Sequence, residues 1–317
     1  MKTPNMIRLS LLFALGWMMV PMSPSFSQEK SGYIAVDQNI RLHYRITGNG
    51  ADTVVVADAG WFYPYIEANA NDVTYIVYDV RDRGYSDAVD DPALISMEHE
   101  ISDLEKVRQH FGIDKMHIMG WSYMGGMVAL YASQYPDHVR SIVQVGPVPC
   151  RREGYWLALF EDRMQRRDST LDAKLQEMKA EGIDQTDPDT YCKAFCKATI
   201  ACIIADKSKV DQLAEKAPYD CINERPENVS IGLLFEKLGD WDWRRQIRHV
   251  EAPCLIAQGI QDNIPYESFT EWEECMPNAQ IVHFKHSGHM PMAEEPDLFF
   301  QTIRDFISDQ PPALKGI

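Results

Sequence analysis

The run Met116-His117-Ile118-Met119-Gly120-Trp121-Ser122-Tyr123-Met124-Gly125-Gly126 is the pivot of the chain. Its apolar start reads as a buried strand over Met116–Met119, and Gly126–Tyr135 reads as a helix closed by Pro136. The order is strand, sharp turn, helix, with a serine at the apex. A hydroxyl there stands above the sheet, and the first amides of the helix face the same spot.

Working outward, the pattern is first β and then alternating β and α. Ile40–Ile46 alternates apolar and polar, as a half-exposed strand does. Thr53–Ala57, Thr74–Tyr78 and Ser141–Val145 are short runs typical of buried parallel strands. Ser96 caps a predicted helix whose apolar positions Met97, Ile101, Leu104, Val107 and Phe111 recur at helical spacing. From Pro147 to His249 the alternation stops, and charged helical segments such as Leu171–Ala180 take over. It resumes with strands at Pro253–Gln258 and Ala279–Phe284 and helices at Ser268–Met276 and Asp297–Ile307. The expectation is an α/β fold with a mostly parallel central sheet, helices on both faces and a helical lid insertion. The core would comprise 28–146 and 250–309, the insert 147–249, with a flexible tail over 310–317.

Three residues occur in the order Ser, Asp, His, each following a predicted strand: Ser122, Asp262 and His289. Sites in open parallel sheets form at the carboxyl ends of strands, so all three are expected at one edge. Serine becomes a nucleophile only when a base takes its proton and a third group orients that base. His286 and His289 bring no further ligands for a metal, and no metal or other cofactor is expected.

The chain from about 31 to 309 resembles the α/β-hydrolase fold family, in particular serine hydrolases of the proline iminopeptidase-like group. Four blocks carry the resemblance: the elbow Gly120-Trp121-Ser122, the loop Tyr78–Asp87 with Arg81, Arg83 and Gly84, the acid loop Gln258–Asp262, and Ser287-Gly288-His289-Met290-Pro291. It implies Ser122 as nucleophile, His289 as general base and Asp262 as the orienting acid. It also implies an oxyanion hole from the backbone N–H of Tyr123 and of Gly60 or Trp61. Two departures stand out. Met124 occupies the second position after the serine, where the family has glycine. Asp58-Ala59-Gly60-Trp61 replaces the usual His-Gly after the third strand. A carboxylate aimed at a developing oxyanion opposes catalysis, so Asp58 must turn away, be protonated, or hold a cationic substrate group. Asp58, Phe62 and Trp121 are placed in the substrate pocket on this reading.

At the N-terminus, Lys2 and Arg8 precede the apolar run Leu9–Val20 and the small-residue site Ser25-Phe26-Ser27. This is the layout of a signal peptide over 1–27, and export is the expectation. The run is too short for a comfortable membrane span. Cleavage would take the net charge from −16 to −18, which argues against nucleic acid or an anionic membrane surface as partner. Of the seven cysteines, Cys192, Cys196, Cys202 and Cys221 cluster in one region where bridges are expected in an oxidising compartment. Cys192-x3-Cys196 fits one helix face but lacks the companions of a zinc site. Three functions follow for a small-molecule or short-peptide ligand: a carboxylic ester or amide hydrolase, a proline iminopeptidase-like aminopeptidase, or a non-catalytic binder on a hydrolase fold. The second needs acids near the acyl pocket to hold a free amine.

Overall fold

The computed structural model describes residues 30–58, 60–216 and 229–308. The signal-peptide segment 1–27, the tail 310–317 and Cys221 lie outside them. Eight strands form one sheet: β1 (Ser31–Asp37), β2 (Ile40–Thr47), β3 (Asp52–Asp58), β4 (Val73–Asp79), β5 (Met116–Trp121), β6 (Val139–Val145), β7 (Cys254–Gly259) and β8 (Ala279–Phe284). Their order is β1-β2-β4-β3-β5-β6-β7-β8. Only β2 runs against its neighbours; every pairing from β4 to β8 is parallel.

The helices of the first part are α1 (Tyr63–Asn69), α2 (Met97–His110) and α3 (Tyr123–Gln134). Between β6 and β7 lie α4 (Trp156–Gln165), α5 (Ser169–Ala180), α6 (Ile183–Thr186), α7 (Pro188–Ile203), α8 (Val210–Ala214), α9 (Val229–Leu238) and α10 (Arg244–Ile247). The chain closes with α11 (Tyr266–Cys275), α12 (Pro291–Glu294) and α13 (Pro296–Ile307). Successive side chains of a strand face opposite ways, so each central strand feeds two cores. Ile118, Ile142 and Ile256 meet α2, α3 and α11 on one face. Met119, Val143 and Leu255 meet α1, α7 and α13 on the other. Both faces are covered, which is why these strands read as nearly continuous apolar runs.

Ser96 caps α2 as expected, accepting the His99 N–H. The helix behind Ser122 starts at Tyr123, three residues earlier than its glycines suggest. Residue 124 needs no glycine, because the close approach falls on its neighbours. A Cβ on Gly120 would lie 2.2 Å from the Met124 carbonyl oxygen, and one on Gly125 would lie 3.0 Å from Pro147 Cβ. Met124 itself is buried among apolar side chains. Cys192 is disulfide-bonded, which removes it as a metal ligand, whereas Cys150, Cys196, Cys202, Cys254 and Cys275 are thiols. Among the described residues no helix is long and apolar enough to cross a membrane.

Candidate active site

Ser122 stands between the end of β5 and the start of α3 with φ 58° and ψ −124°. A non-glycine residue there is strained by about 1–3 kcal/mol, so its surroundings must enforce it. They do so through the backbone: Ser122 N–H donates to Val145 O at 2.9 Å, and Ser122 O accepts from Gly125 and Val148 at 3.0 and 3.2 Å. Tyr123 opens α3, and the first amides of a helix point out of its N-terminus rather than into its ladder.

His289 Nδ1 lies 2.9 and 3.1 Å from the two carboxylate oxygens of Asp262. A carboxylate only accepts, so Nδ1 carries the proton and Nε2 is left basic. Asp262 Oδ1 also accepts the Ile264 N–H at 2.9 Å. The histidine backbone is clamped from two sides. Its carbonyl accepts from Trp121 Nε1 at 2.7 Å, and its N–H donates to Ile203 O at the end of α7 at 2.7 Å. The Trp121 and His289 rings lie 5.0 Å apart. Buried Glu294 ties the histidine loop to the insert, accepting Gly288 and Ala205 N–H groups, each at 2.7 Å. Gly146, with φ 48°, passes beneath the pair so closely that a Cβ would lie 2.8 Å from His289 Nδ1.

Ser122 and His289 line one cavity of about 390 Å³, within the range of small-molecule sites. Its floor includes Trp61, Trp121 and Met124; its roof is the insert, through Leu159, Phe195 and Phe235. The roof is held by aromatic packing, with Trp156 4.8 Å from Phe235 and 5.0 Å from Trp241, ring to ring. The Trp241–Trp243 segment thus packs the insert.

The structure departs from three sequence expectations. Asp58 is fully buried and does not line the cavity; its carboxylate accepts the N–H groups of Trp61, Phe62 and Tyr63 at 2.9–3.1 Å. It turns away from the serine and holds the loop that leads into α1. Trp61 therefore gives its amide to Asp58, and the loop's oxyanion candidate is Gly60, buried and at φ 82°. Phe62 is fully buried behind the pocket, packed on Trp121 and Phe299. Trp121 does line the cavity. The loop residues divide: Arg81 makes a bidentate pair with Asp103 at 2.7 Å, while Arg83 lies over the Tyr123 ring and reaches the cavity.

Residues that sequence reasoning missed are Arg163 on α4 and Asn263 beside the acid. Asn263 Oδ1 is buried without a hydrogen-bond partner among the described residues, a ready acceptor for a ligand N–H or O–H. The Asp-Asn sequence after a β-strand was the available signal for the second; a single arginine within a charged helix offered none for the first.

Residues 46–296 match the family model described as alpha/beta hydrolase fold. A proline iminopeptidase from Heyndrickxia coagulans is 25% identical over 249 residues, covering 77% of this chain and 84% of that relative. Among solved structures, the proline iminopeptidase of Mycobacterium smegmatis superposes with TM-score 0.65 at 19% identity, over 88% of this chain and 97% of that one. A thermophilic esterase from Thermogutta terrifontis does so with TM-score 0.64 at 19% identity, over 88% and 98%. The structural likenesses are to the fold. With a matched family model spanning most of its length, the chain belongs to the alpha/beta hydrolase fold family and is a hydrolytic enzyme.

Proposed function

We propose that the enzyme cleaves small carboxylic esters through an acyl-enzyme on Ser122. The observation that carries this reading is one cavity shared by a strained apex serine and a histidine bonded to a buried carboxylate. His289 Nε2 takes the Ser122 proton as Oγ attacks the ester carbonyl, while Asp262 keeps the imidazole in the productive tautomer. The tetrahedral oxyanion is met by the amides of Tyr123 and Gly60. Collapse expels the alcohol, protonated by His289; water, deprotonated by the same histidine, then releases the acid. The helical insert acts as a lid whose apolar roof excludes bulk water. Residues 1–27 direct export, a reading supported by their charge and apolar pattern and by the disulfide at Cys192.

A proline iminopeptidase-like activity is the second reading, favoured by the relatives of that name. It needs a carboxylate near the acyl site for the free amine, and no Asp or Glu is among the cavity's described lining residues. Steady-state hydrolysis of para-nitrophenyl butyrate and of prolyl para-nitroanilide separates the two. The ester is expected to show the larger kcat/KM by at least about 100-fold, an energetic gap of a few kcal/mol. The reverse order would install the aminopeptidase, and turnover of neither would reject both substrate readings.

A further inference from the structure

The protein as a whole is strongly acidic, with 47 Asp and Glu against 31 Lys and Arg. The cavity has the opposite character. Its charged lining residues, among those described, are Arg83 and Arg163, apart from the histidine. Arg83 is already engaged: its guanidinium sits 4.9 Å from the Tyr123 ring centroid, and its charge acts on the buried carboxyl of Glu100. Arg163 differs from every cation around it. Arg166 pairs with Asp162, Arg167 makes two 2.7 Å bonds to Asp172, and Lys207 donates to the Ala201 and Ile204 carbonyls. Arg163 has no hydrogen bond or ion pair to any described residue. It keeps exposed surface yet is crowded by protein, with burial and Arg167 both lowering its pKa. Arg163 lines the cavity, and an arginine stays charged there.

Resting on the serine-hydrolase reading, we propose that Arg163 is the receptor for a carboxylate carried by the substrate, so that the enzyme acts on esters bearing a free acid apart from the scissile bond. Half-esters of dicarboxylic acids are the simplest such class. The planar fork accepts a carboxylate through two parallel N–H···O bonds, a geometry that neutral esters cannot reproduce. Leu159, Phe160 and Ile203 line the same cavity, and apolar walls strengthen a charge-assisted contact made within it. The same cation repels an ammonium group, so the site discriminates against free amines as well as for acids.

The test uses the Ser122→Ala protein, whose ligands are not consumed, titrated calorimetrically at neutral pH with monomethyl glutarate and with dimethyl glutarate. The mono-acid is expected to bind roughly 10- to 100-fold more tightly, the scale of a hydrogen-bonded charge. Ser122→Ala/Arg163→Gln should reduce that preference to about one, and Ser122→Ala/Arg163→Lys should retain part of it. Equal or tighter binding of the diester, or a preference that survives Arg163→Gln, overturns the proposal. The comparison within the Ser122→Ala protein needs no change at 163, so it decides even if a variant misfolds. Because binding is read without turnover, failure here is distinct from failure to hydrolyse esters.

Discussion

Gly146→Ala isolates the geometry of the His289–Asp262 pair. Gly146 ends the stretch after β6 at φ 48°, and its added Cβ would lie 2.8 Å from His289 Nδ1 and 3.0 Å from both Asp262 Oδ2 and His289 Cε1. Ordinary Cβ contacts start at 3.4 Å, so the pair must yield by several tenths of an ångström. Misplacement on the scale of 1 Å costs on the order of 100-fold, so kcat should fall by roughly 10- to 100-fold with KM little changed. The left-handed backbone adds about 1–2 kcal/mol of strain for alanine, which lowers Tm by roughly 2–8 °C in a protein of this size. Gly182→Ala supplies the control. Gly182 has φ 73° with nothing within 4 Å of its would-be Cβ, so that variant should lose similar stability and keep full activity. Steady-state ester hydrolysis beside thermal melts of the two variants makes the comparison. A Gly146→Ala enzyme with kcat within about twofold of the parent would refute the placement of the pair in the reaction.

Asp58→Ala removes the acceptor of three backbone amides, and leaving them buried and unpaired should cost about 2–5 kcal/mol in urea unfolding, with kcat falling as the oxyanion loop loosens. Glu100 is fully enclosed, and burial raises its pKa from 4.5 to about 7. The folded state therefore holds a proton that the unfolded chain has released, so this group's contribution to stability is complete below 4.5 and declines as pH rises to about 7. Glu100→Gln should flatten that decline, read as urea stability on either side of the window; an unchanged slope would reject the assignment. Asp262→Asn leaves the shape but offers His289 the wrong partner, and kcat should drop by about 10⁴-fold, measured with the ester.

What was legible in the sequence was what depends on local pattern. Ser122, Asp262 and His289 each follow a short apolar strand, and the parallel sheet carries all three strand ends to one edge. The described helices between β6 and β7 were legible too, because no convincing strand pattern interrupts 147–249. What escaped depends on where one side chain points across a turn. Asp58 sits three to five residues before the amides it accepts, and nothing in Asp-Ala-Gly-Trp says that its carboxylate folds back and takes the Trp61 N–H. Phe62 and Trp121 look alike as aromatics near the serine, yet one packs behind the other. Met124 departs from the family's glycine without consequence for the turn, because Gly120 and Gly125 share the close contact, which the spacing of small residues does not reveal. Arg163 is set apart only by the partners its neighbours have and it lacks, a property of the folded insert.

The most direct test of the account is the intact mass of the purified protein after exposure to a small fluorophosphonate, beside Ser122→Ala. One adduct is expected on the parent and none on the variant, since among the described residues Ser122 alone combines the strained apex position with the histidine at hand. A folded parent that takes no adduct, or a variant that takes the same adduct, would contradict Ser122 as the nucleophile.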